Sequence, residues 1–230
     1  MTILYKSTRN KNNKVSASQA ILQGLASDGG LYVPTEMPKL HLNFEELGSK
    51  SYQEVAKIIL QAFLADFAAE EIQACVDGAY DQKFSDPVIA PVVKKGEDYF
   101  LELFHGPTFA FKDLALSILP YLMTTAAKKN QIENEIVILT ATSGDTGKAA
   151  MAGFADVPGT RIIVFYPENG VSWIQEKQMV TQTGENTHVV AVKGNFDDAQ
   201  TAVKQMFNNA ELKFSLAANN QQFSSANSMN

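Results

Sequence analysis

The hydrophobic positions in the first third of the chain recur at helical spacing. Apolar residues fall on one face in three stretches, which predicts helices over residues 16–25, 51–64 and 68–80. The pair Gly29-Gly30 interrupts this pattern and predicts a break in the chain. We therefore expect a mainly helical section over residues 1–86.

Short apolar runs replace the helical pattern after Pro87. The runs 88–94 and 99–104 flank a polar turn, as in a β-hairpin. A helix is then predicted from Asp113 past Leu119, and Pro120 either kinks this helix or marks a boundary.

Buried-strand runs alternate with helical patterns from residue 135 onward. The predicted strands cover residues 135–142, 161–166 and 188–192, and the predicted helices cover 148–154, 172–183 and 197–209. Such alternation predicts βαβ units with a parallel sheet, in a subdomain of about 133–210. Ligands of these sheets bind at the carboxyl ends of the strands. The polar residues 219–230 carry no pattern and predict a frayed tail.

The composition is that of an acidic globular chain. Its 230 residues include 19 basic and 25 acidic side chains, for a net charge of −6. This balance gives no long-range attraction for nucleic acid or for an anionic membrane surface, although one cleft can still be basic. No apolar run approaches the roughly 18 residues of a membrane span, and residues 1–10 show no signal-peptide pattern. We expect a cytoplasmic protein.

Cysteine and histidine positions argue against a metal site. Cys75 is the single cysteine, which excludes an intrachain disulfide and a cysteine-based zinc site. Its helical surroundings predict a buried, inert thiol. His41 is expected in a loop and His188 at a strand edge, whereas His105 either stabilises its turn or lines the site.

The segment from Thr142 to Lys148 has the composition of an anion-binding loop. It reads Thr-Ser-Gly-Asp-Thr-Gly-Lys between a predicted strand and a predicted helix. Its glycines allow a sharp turn, and the first N–H groups of a helix have no intrahelical partner. Together with the helix dipole they bind phosphate or carboxylate, and Ser143 and Thr146 add hydroxyl donors. The alternative is an ordinary turn in which Asp145 or Thr146 is the N-cap and no ligand binds.

Two nucleotide-binding motifs do not fit this loop. A Walker A motif requires glycine where Thr142 stands and serine or threonine where Ala149 stands. The dinucleotide fingerprint requires three glycines, and only Gly144 and Gly147 are present. A nucleotide-binding module is therefore disfavoured.

A second candidate segment, residues 103–114, carries Lys112 just before Asp113, which is the predicted N-cap of a helix. Phe109, Phe111 and Leu114 flank this lysine, and partial desolvation would favour the neutral amine that forms a Schiff base. The alternative is a surface lysine that snorkels from an apolar patch.

Six motifs resemble those of the threonine synthase family. They are LYKSTRN (4–10), SDGGLYVP (27–34), ELFHGPTFAFKD (102–113), LTATSGDTG (139–147), YPENGVSWIQEKQM (166–179) and SSANSMN (224–230). Their order matches that of the family and they cover nearly the whole chain. The resemblance implies an α/β protein of pyridoxal-phosphate (PLP) fold type II, the tryptophan-synthase-β type. Its parallel sheet would lie in a catalytic region at 87–230, after the helical N-terminal section.

The same resemblance implies the chemistry and its residues. Lys112 would form a Schiff base with PLP and transfer protons while O-phospho-L-homoserine and water give L-threonine and phosphate. Asp145 would approach the cofactor as well as the substrate. The implied ligands of the substrate carboxylate are Ser143, Gly144, Asp145, Thr146 and Gly147. Candidate ligands of the substrate phosphate are Lys148, Ser172 and Asn227.

Two details qualify the resemblance. Cysteine synthase and threonine dehydratase usually carry asparagine where this chain has Asp145, which disfavours both relatives. In the family, the segment like residues 225–230 begins a helix, and a glycine-rich loop that binds the PLP phosphate follows; this sequence contains no such loop. The resemblance thus implies a truncated chain that is inactive alone. The alternatives are a non-catalytic anion-binding α/β fragment and another fold type II PLP lyase. The sequence gives no oligomeric state.

Overall fold

A computed structural model describes residues 3–40 and 42–224. The N-terminal section is helical as predicted, but it also contains a small three-stranded antiparallel sheet, whose middle strand is Tyr5–Ser7. The pattern missed these strands because they are only two or three residues long. The helices are α1 (Ala17–Gln23), α2 (Phe44–Leu47), α3 (Tyr52–Phe63) and α4 (Ala69–Ala79). The strands are β1 (Tyr5–Ser7), β2 (Lys14–Val15) and β3 (Tyr32–Pro34).

The predicted hairpin is present with shorter strands than expected. It consists of β4 (Val92–Lys95) and β5 (Asp98–Leu101), joined by a turn in which Gly96 has a φ of 63°. The start of the first run is not strand because Ile89 is buried with a φ of 67°, which turns the chain there.

Pro120 marks a helix boundary rather than a kink. The segment expected to be one helix is divided into α5 (Asp113–Leu116) and α6 (Leu119–Lys129), and Pro120 lies in the first turn of α6. Proline is tolerated there because the first N–H groups of a helix have no intrahelical partner.

The predicted parallel sheet is confirmed, with the strand order β8-β7-β6-β9. Its strands are β6 (Glu135–Ala141), β7 (Thr160–Pro167), β8 (Thr187–Val192) and β9 (Gln221–Ser224). The helices around it are α7 (Asp145–Phe154), α8 (Trp173–Val180), α9 (Phe196–Asn208) and α10 (Ala210–Ala218).

The prediction of a frayed tail is wrong for β9. These four residues pair in parallel with residues 135–138 of β6, although their own sequence is polar. The helix α10, which precedes β9, was not predicted either. Residues 225–230, with Asn227 and the helix start implied by the resemblance, lie outside the described residues, as does His41.

Alternate residues of β6 face opposite layers of the molecule. Ile136 and Ile138 are buried in the same core cluster as Phe154 of α7, and this cluster continues to Ile72 of α4. Val137 and the next odd-numbered residues pack instead with α9. The N-terminal section thus shares a core with the sheet, and the domain boundary at residue 86 stays a prediction. Within the described residues, no helix has the length and apolar character needed to span a membrane.

Candidate functional site

The predicted anion-binding loop follows β6 directly and is organised by Thr142. The hydroxyl of this buried threonine accepts the N–H groups of Gly144 at 3.0 Å and Gly147 at 2.9 Å, and it donates to the Gly144 carbonyl at 3.0 Å. Gly144 is the N-cap residue of α7, with a φ of 146° that glycine adopts readily. The expectation of Asp145 or Thr146 as the N-cap is therefore wrong.

Five donors of this loop have no partner in the part of the chain that the structure describes. They are the N–H groups of Ser143, Asp145 and Thr146 and the hydroxyl groups of Ser143 and Thr146. They lie at the start of α7, where the helix dipole attracts negative charge. The loop therefore has the geometry of a carboxylate or phosphate site.

We expect Thr142→Val to destabilise this loop because it leaves two buried N–H groups without an acceptor. The free energy of unfolding should fall by about 1–3 kcal/mol, the usual cost of unsatisfied buried donors. The control is Thr140→Val on the same strand, because Thr140 is also buried but makes only a 3.5 Å contact with the Ala141 carbonyl. Urea denaturation of both variants measures the difference, and equal losses would show that Thr142 does not organise the loop.

Lys112 is the N-cap residue of α5, whereas the sequence predicted Asp113 as the N-cap. Its side chain is half-buried, and its ammonium nitrogen lies 4.8 Å from the centre of the Phe111 ring. Phe109 and Phe111 are 72% and 61% exposed. Both rings turn toward solvent, the Phe111 ring flanks the amine as predicted, and the partial desolvation of Lys112 stays a prediction.

Asp113 fixes the loop that carries Lys112. Its buried carboxylate accepts the Thr108 N–H at 2.8 Å and the Thr108 hydroxyl at 2.6 Å. A Cβ on Gly106 would lie 2.4 Å from the Asp113 Cβ, so only glycine allows this approach. Phe109 has a φ of 62°, an uncommon conformation for a bulky residue. Backbone strain of this kind is found most often at functional sites.

The helices that follow the two loops, α5 and α7, pack against each other. Near the start of α7, burial lowers the pKa of Lys148, and attraction to Asp113 partly offsets this effect. Burial likewise raises the pKa of Asp113 above the usual carboxyl value. Toward the other end, a Cβ on Gly153 would lie 2.3 Å from the Leu116 carbonyl oxygen. The contact between α5 and α7 thus joins the helix that Lys112 caps to the helix that follows the anion-binding loop.

Two of the candidate phosphate ligands, Lys148 and Ser172, already have partners within the chain, and the third, Asn227, lies outside the described residues. Lys148 donates to the side-chain oxygen of Gln182. Ser172 is the N-cap residue of α8, and its hydroxyl accepts the Gln175 N–H at 3.3 Å. The first of these side chains lies beside the candidate site, and the second lies at the start of the neighbouring helix.

Sequence reasoning missed Gln175. Its side-chain oxygen accepts the N–H of Ser172 at 3.1 Å and the hydroxyl of Ser172 at 2.9 Å. Its amide nitrogen donates to the Asp145 carboxylate at 2.9 Å. The serine followed three residues later by glutamine is the spacing of a capping box, which the sequence does show. The second contact has no local signal because it joins two helices.

The remaining reactive residues have structural partners. The His105 ring contacts Ser85 at 3.1 Å and Glu102 at 2.9 Å, and His188 on β8 contacts Arg161 at 3.0 Å. Cys75 is buried as predicted, and burial raises the pKa of its thiol. Among the described residues, no cluster of three or more histidine, cysteine, aspartate or glutamate side chains is arranged to hold a metal ion.

Two family models match this chain. Residues 94–228 match the family described as pyridoxal-phosphate dependent enzyme, and residues 4–80 match the threonine synthase N terminus. The two matches follow each other in the order in which the sequence motifs occur.

Individual relatives match over nearly the whole chain. A threonine synthase of Schizosaccharomyces pombe is 40% identical over 220 residues, which cover 91% of this chain and 42% of the relative. Threonine synthase-like 1 of Homo sapiens is 40% identical over 231 residues, which cover 94% of this chain and 31% of the relative. The crystal structure of PLP-bound threonine synthase from Brucella melitensis superposes with a TM-score of 0.85 at 37% identity, covering 99% of this chain and 48% of that one. The chain thus spans less than half the length of these relatives.

Proposed function

We propose a function from one premise: the chain belongs to the family of pyridoxal-phosphate dependent enzymes, and it corresponds to the N-terminal part of threonine synthase. The cofactor of this family is PLP, and the predicted fold type II is confirmed. We propose that the complete protein converts O-phospho-L-homoserine and water to L-threonine and phosphate. The observation that carries the proposal is the packing of α5, which Lys112 caps, against α7, which follows the loop 143–147, in a chain that matches both family models.

The residues present fit PLP chemistry. Lys112 offers an amine on a loop that Asp113 anchors, and the loop 143–147 offers five donors without a partner among the described residues, at the start of a helix that packs against α5. When bound, PLP supplies an electron sink for proton removal from a substrate carbon. Lys112 would hold the cofactor through its amine and would move the proton at the substrate Cα.

The loop 143–147 would bind and orient the substrate. The N–H groups of Asp145 and Thr146, with the Ser143 hydroxyl, would hold the substrate carboxylate. Each charge-assisted hydrogen bond of this kind contributes about 1.5–3 kcal/mol, so three of them can fix one orientation. We propose that Asp145 also approaches the cofactor, and that the substrate phosphate binds near Lys148, Ser172 and Asn227.

Two other functions make different predictions. Another fold type II PLP lyase would act on a different amino acid, and a non-catalytic anion-binding chain would turn over none. The human relative is named threonine synthase-like 1, and this name does not state which reaction that protein catalyses. The cytoplasmic compartment stays a prediction.

The test uses the full-length enzyme, by which we mean a protein that continues this chain to the length of its threonine synthase relatives. We expect one phosphate and one L-threonine for each O-phospho-L-homoserine consumed, measured by phosphate release and amino-acid analysis. O-acetylserine and L-threonine are the control substrates, since the related lyases act on these. Phosphate release without threonine, or greater activity on a control substrate, would reject the proposal.

The 230-residue chain by itself is expected to show no turnover and weak PLP binding. The reason is that no segment recognisable as the family's PLP-phosphate loop occurs in the sequence. Equilibrium dialysis with PLP and the phosphate-release assay measure both properties. Tight stoichiometric PLP binding by the 230 residues would reveal a phosphate site within them and contradict this expectation.

A further inference from the structure

Gln175 joins the two helices at the candidate site. Its side-chain oxygen belongs to the cap of α8, where it accepts the N–H and hydroxyl of Ser172. Its amide nitrogen reaches across to α7 and donates to Oδ1 of Asp145 at 2.9 Å. The Gln175 side chain thus makes two hydrogen bonds within the cap of its own helix and one hydrogen bond to α7.

Two other helices of the described chain show that the cap alone does not require glutamine. At the same position of α3 and α4, Glu54 and Glu71 accept the N-cap N–H through a carboxylate oxygen, each at 2.7 Å. Glutamate is thus sufficient for the cap. What glutamine adds at position 175 is the N–H donor that faces Asp145.

Gly144 leaves room for this amide. A Cβ on Gly144 would lie 2.4 Å from the Gln175 amide nitrogen and 2.8 Å from its oxygen, well inside contact distance. The amide group therefore packs directly on the N-cap residue of α7. This contact fixes where the amide nitrogen can point, which is toward the Asp145 carboxylate.

An unrestrained Asp145 would interfere with the anion-binding loop. Its carboxylate belongs to the first turn of α7, where the helix dipole attracts negative charge and the N–H groups of Asp145 and Thr146 are unpartnered. A carboxylate that turned toward these groups would compete with the carboxylate of a substrate.

We propose that Gln175 is a positioning residue that holds the Asp145 carboxylate away from the N–H groups of the loop, so that these groups remain open to a substrate carboxylate. This inference rests on the proposed function and adds a residue to the same site. Gln175 acts through Asp145 and touches no reacting atom.

The sharpest test is Gln175→Glu in the full-length enzyme. This change keeps the oxygen that caps α8 and replaces the donor to Asp145 with a negatively charged oxygen. We expect kcat/KM for O-phospho-L-homoserine to fall roughly ten- to a hundredfold, mainly through KM, which corresponds to one charge-assisted hydrogen bond. The melting temperature should change by no more than about 2 °C, because the cap is retained.

Gln19→Glu is the matched control. Gln19 occupies the same capping-box position in α1, where its oxygen accepts the Ser16 N–H at 3.0 Å. We expect this variant to keep both its melting temperature and its kcat/KM. An equal kinetic loss in Gln19→Glu would overturn the proposal, since a change of charge far from the site would then suffice.

The second arm repeats Gln175→Glu in an Asp145→Ala background. If Gln175 acts through Asp145, the substitution has little further effect there, and the two changes are strongly non-additive. A full loss in that background, or unchanged kinetics of the single Gln175→Glu variant, would overturn the proposal.

One measurement needs neither substrate nor cofactor, and it tests the positioning by Gln175 independently of the proposed function. In a crystal structure of the Gln175→Glu variant, the Asp145 carboxylate should leave its place beside residue 175. If the enzyme does not act on O-phospho-L-homoserine, the proposed function fails, and the crystal structure still tests the positioning. An unmoved Asp145 carboxylate would overturn the positioning itself, whatever the activity.

Discussion

Lys112→Ala is expected to abolish turnover in the full-length enzyme while leaving its fold intact. The substitution removes the amine that would hold the cofactor and move the substrate proton. Proton transfer by a positioned side chain alone contributes about 10²–10⁴-fold, so the combined loss should be larger. Folding should persist because the lysine side chain makes one aromatic contact and no ion pair within the described residues. Steady-state kinetics and circular dichroism measure the two effects.

Two controls assign the loss to Lys112. Lys204→Ala removes an exposed lysine of α9, and turnover should be unchanged. Borohydride reduction of the wild-type enzyme, followed by peptide mapping, should find the cofactor on Lys112. A label on another lysine would reject the assignment, and residual turnover near the wild-type level would do the same.

Gly153→Ala should have the second-largest effect, because its new Cβ would lie 2.3 Å from the Leu116 carbonyl oxygen, which belongs to the backbone and cannot swing aside. We expect α5 and α7 to move apart and the free energy of unfolding to fall by about 1–3 kcal/mol, as for other overpacked sites. Turnover should fall as well, since these two packed helices carry Lys112 and follow the loop 143–147.

Gly48→Ala is the control for this substitution. A Cβ on Gly48 would lie 3.5 Å from the nearest atom, an ordinary contact, and its φ of −61° suits alanine. Urea denaturation and phosphate release are measured for both variants. Equal midpoints for the two variants would show that the α5–α7 contact tolerates a methyl group.

The sequence predicted the elements whose signals are local. The helices α1, α3 and α8 begin at serine capping boxes, which appear in the sequence as serine followed three residues later by glutamine or glutamate. The strands β6 and β7 were predicted because both faces of the sheet are covered, which makes them nearly continuous apolar runs.

The elements that the sequence did not predict depend on distant partners. The polar sequence of β9 predicted a frayed tail, but β9 forms a strand because it pairs with residues 135–138 of β6. The strands β1 and β3 are likewise set by pairing between residues far apart in the chain. The β-propensity of a short segment does not show which distant segment will pair with it.

The residue types of the candidate site could be predicted from the sequence, but its hydrogen bonds and the directions of its side chains could not. The glycines and donors of the loop 143–147 indicated an anion site, whereas the cofactor-binding roles of Lys112 and Asp145 were implied by the family resemblance. The sequence could not show that Thr142 organises the loop, because its hydroxyl accepts N–H groups two and five residues further along the chain, and these bonds depend on how the turn folds. It could not show that Phe109 and Phe111 face solvent, because ring direction depends on the backbone of a non-repetitive loop.

The placing of β9 beside β6 also bears on how the sheet assembles during translation. Glu135, at the start of β6, binds Arg161 of β7 through two hydrogen bonds and Gln221 of β9, which follows it by 86 residues. At about 5–20 residues per second, a ribosome needs on the order of ten seconds to synthesise that interval. Once β7 has been synthesised, it can pair with one edge of β6, while the other edge stays open until β9 follows. An open strand edge is a template for pairing with other chains, so this interval is when the nascent protein most needs a chaperone.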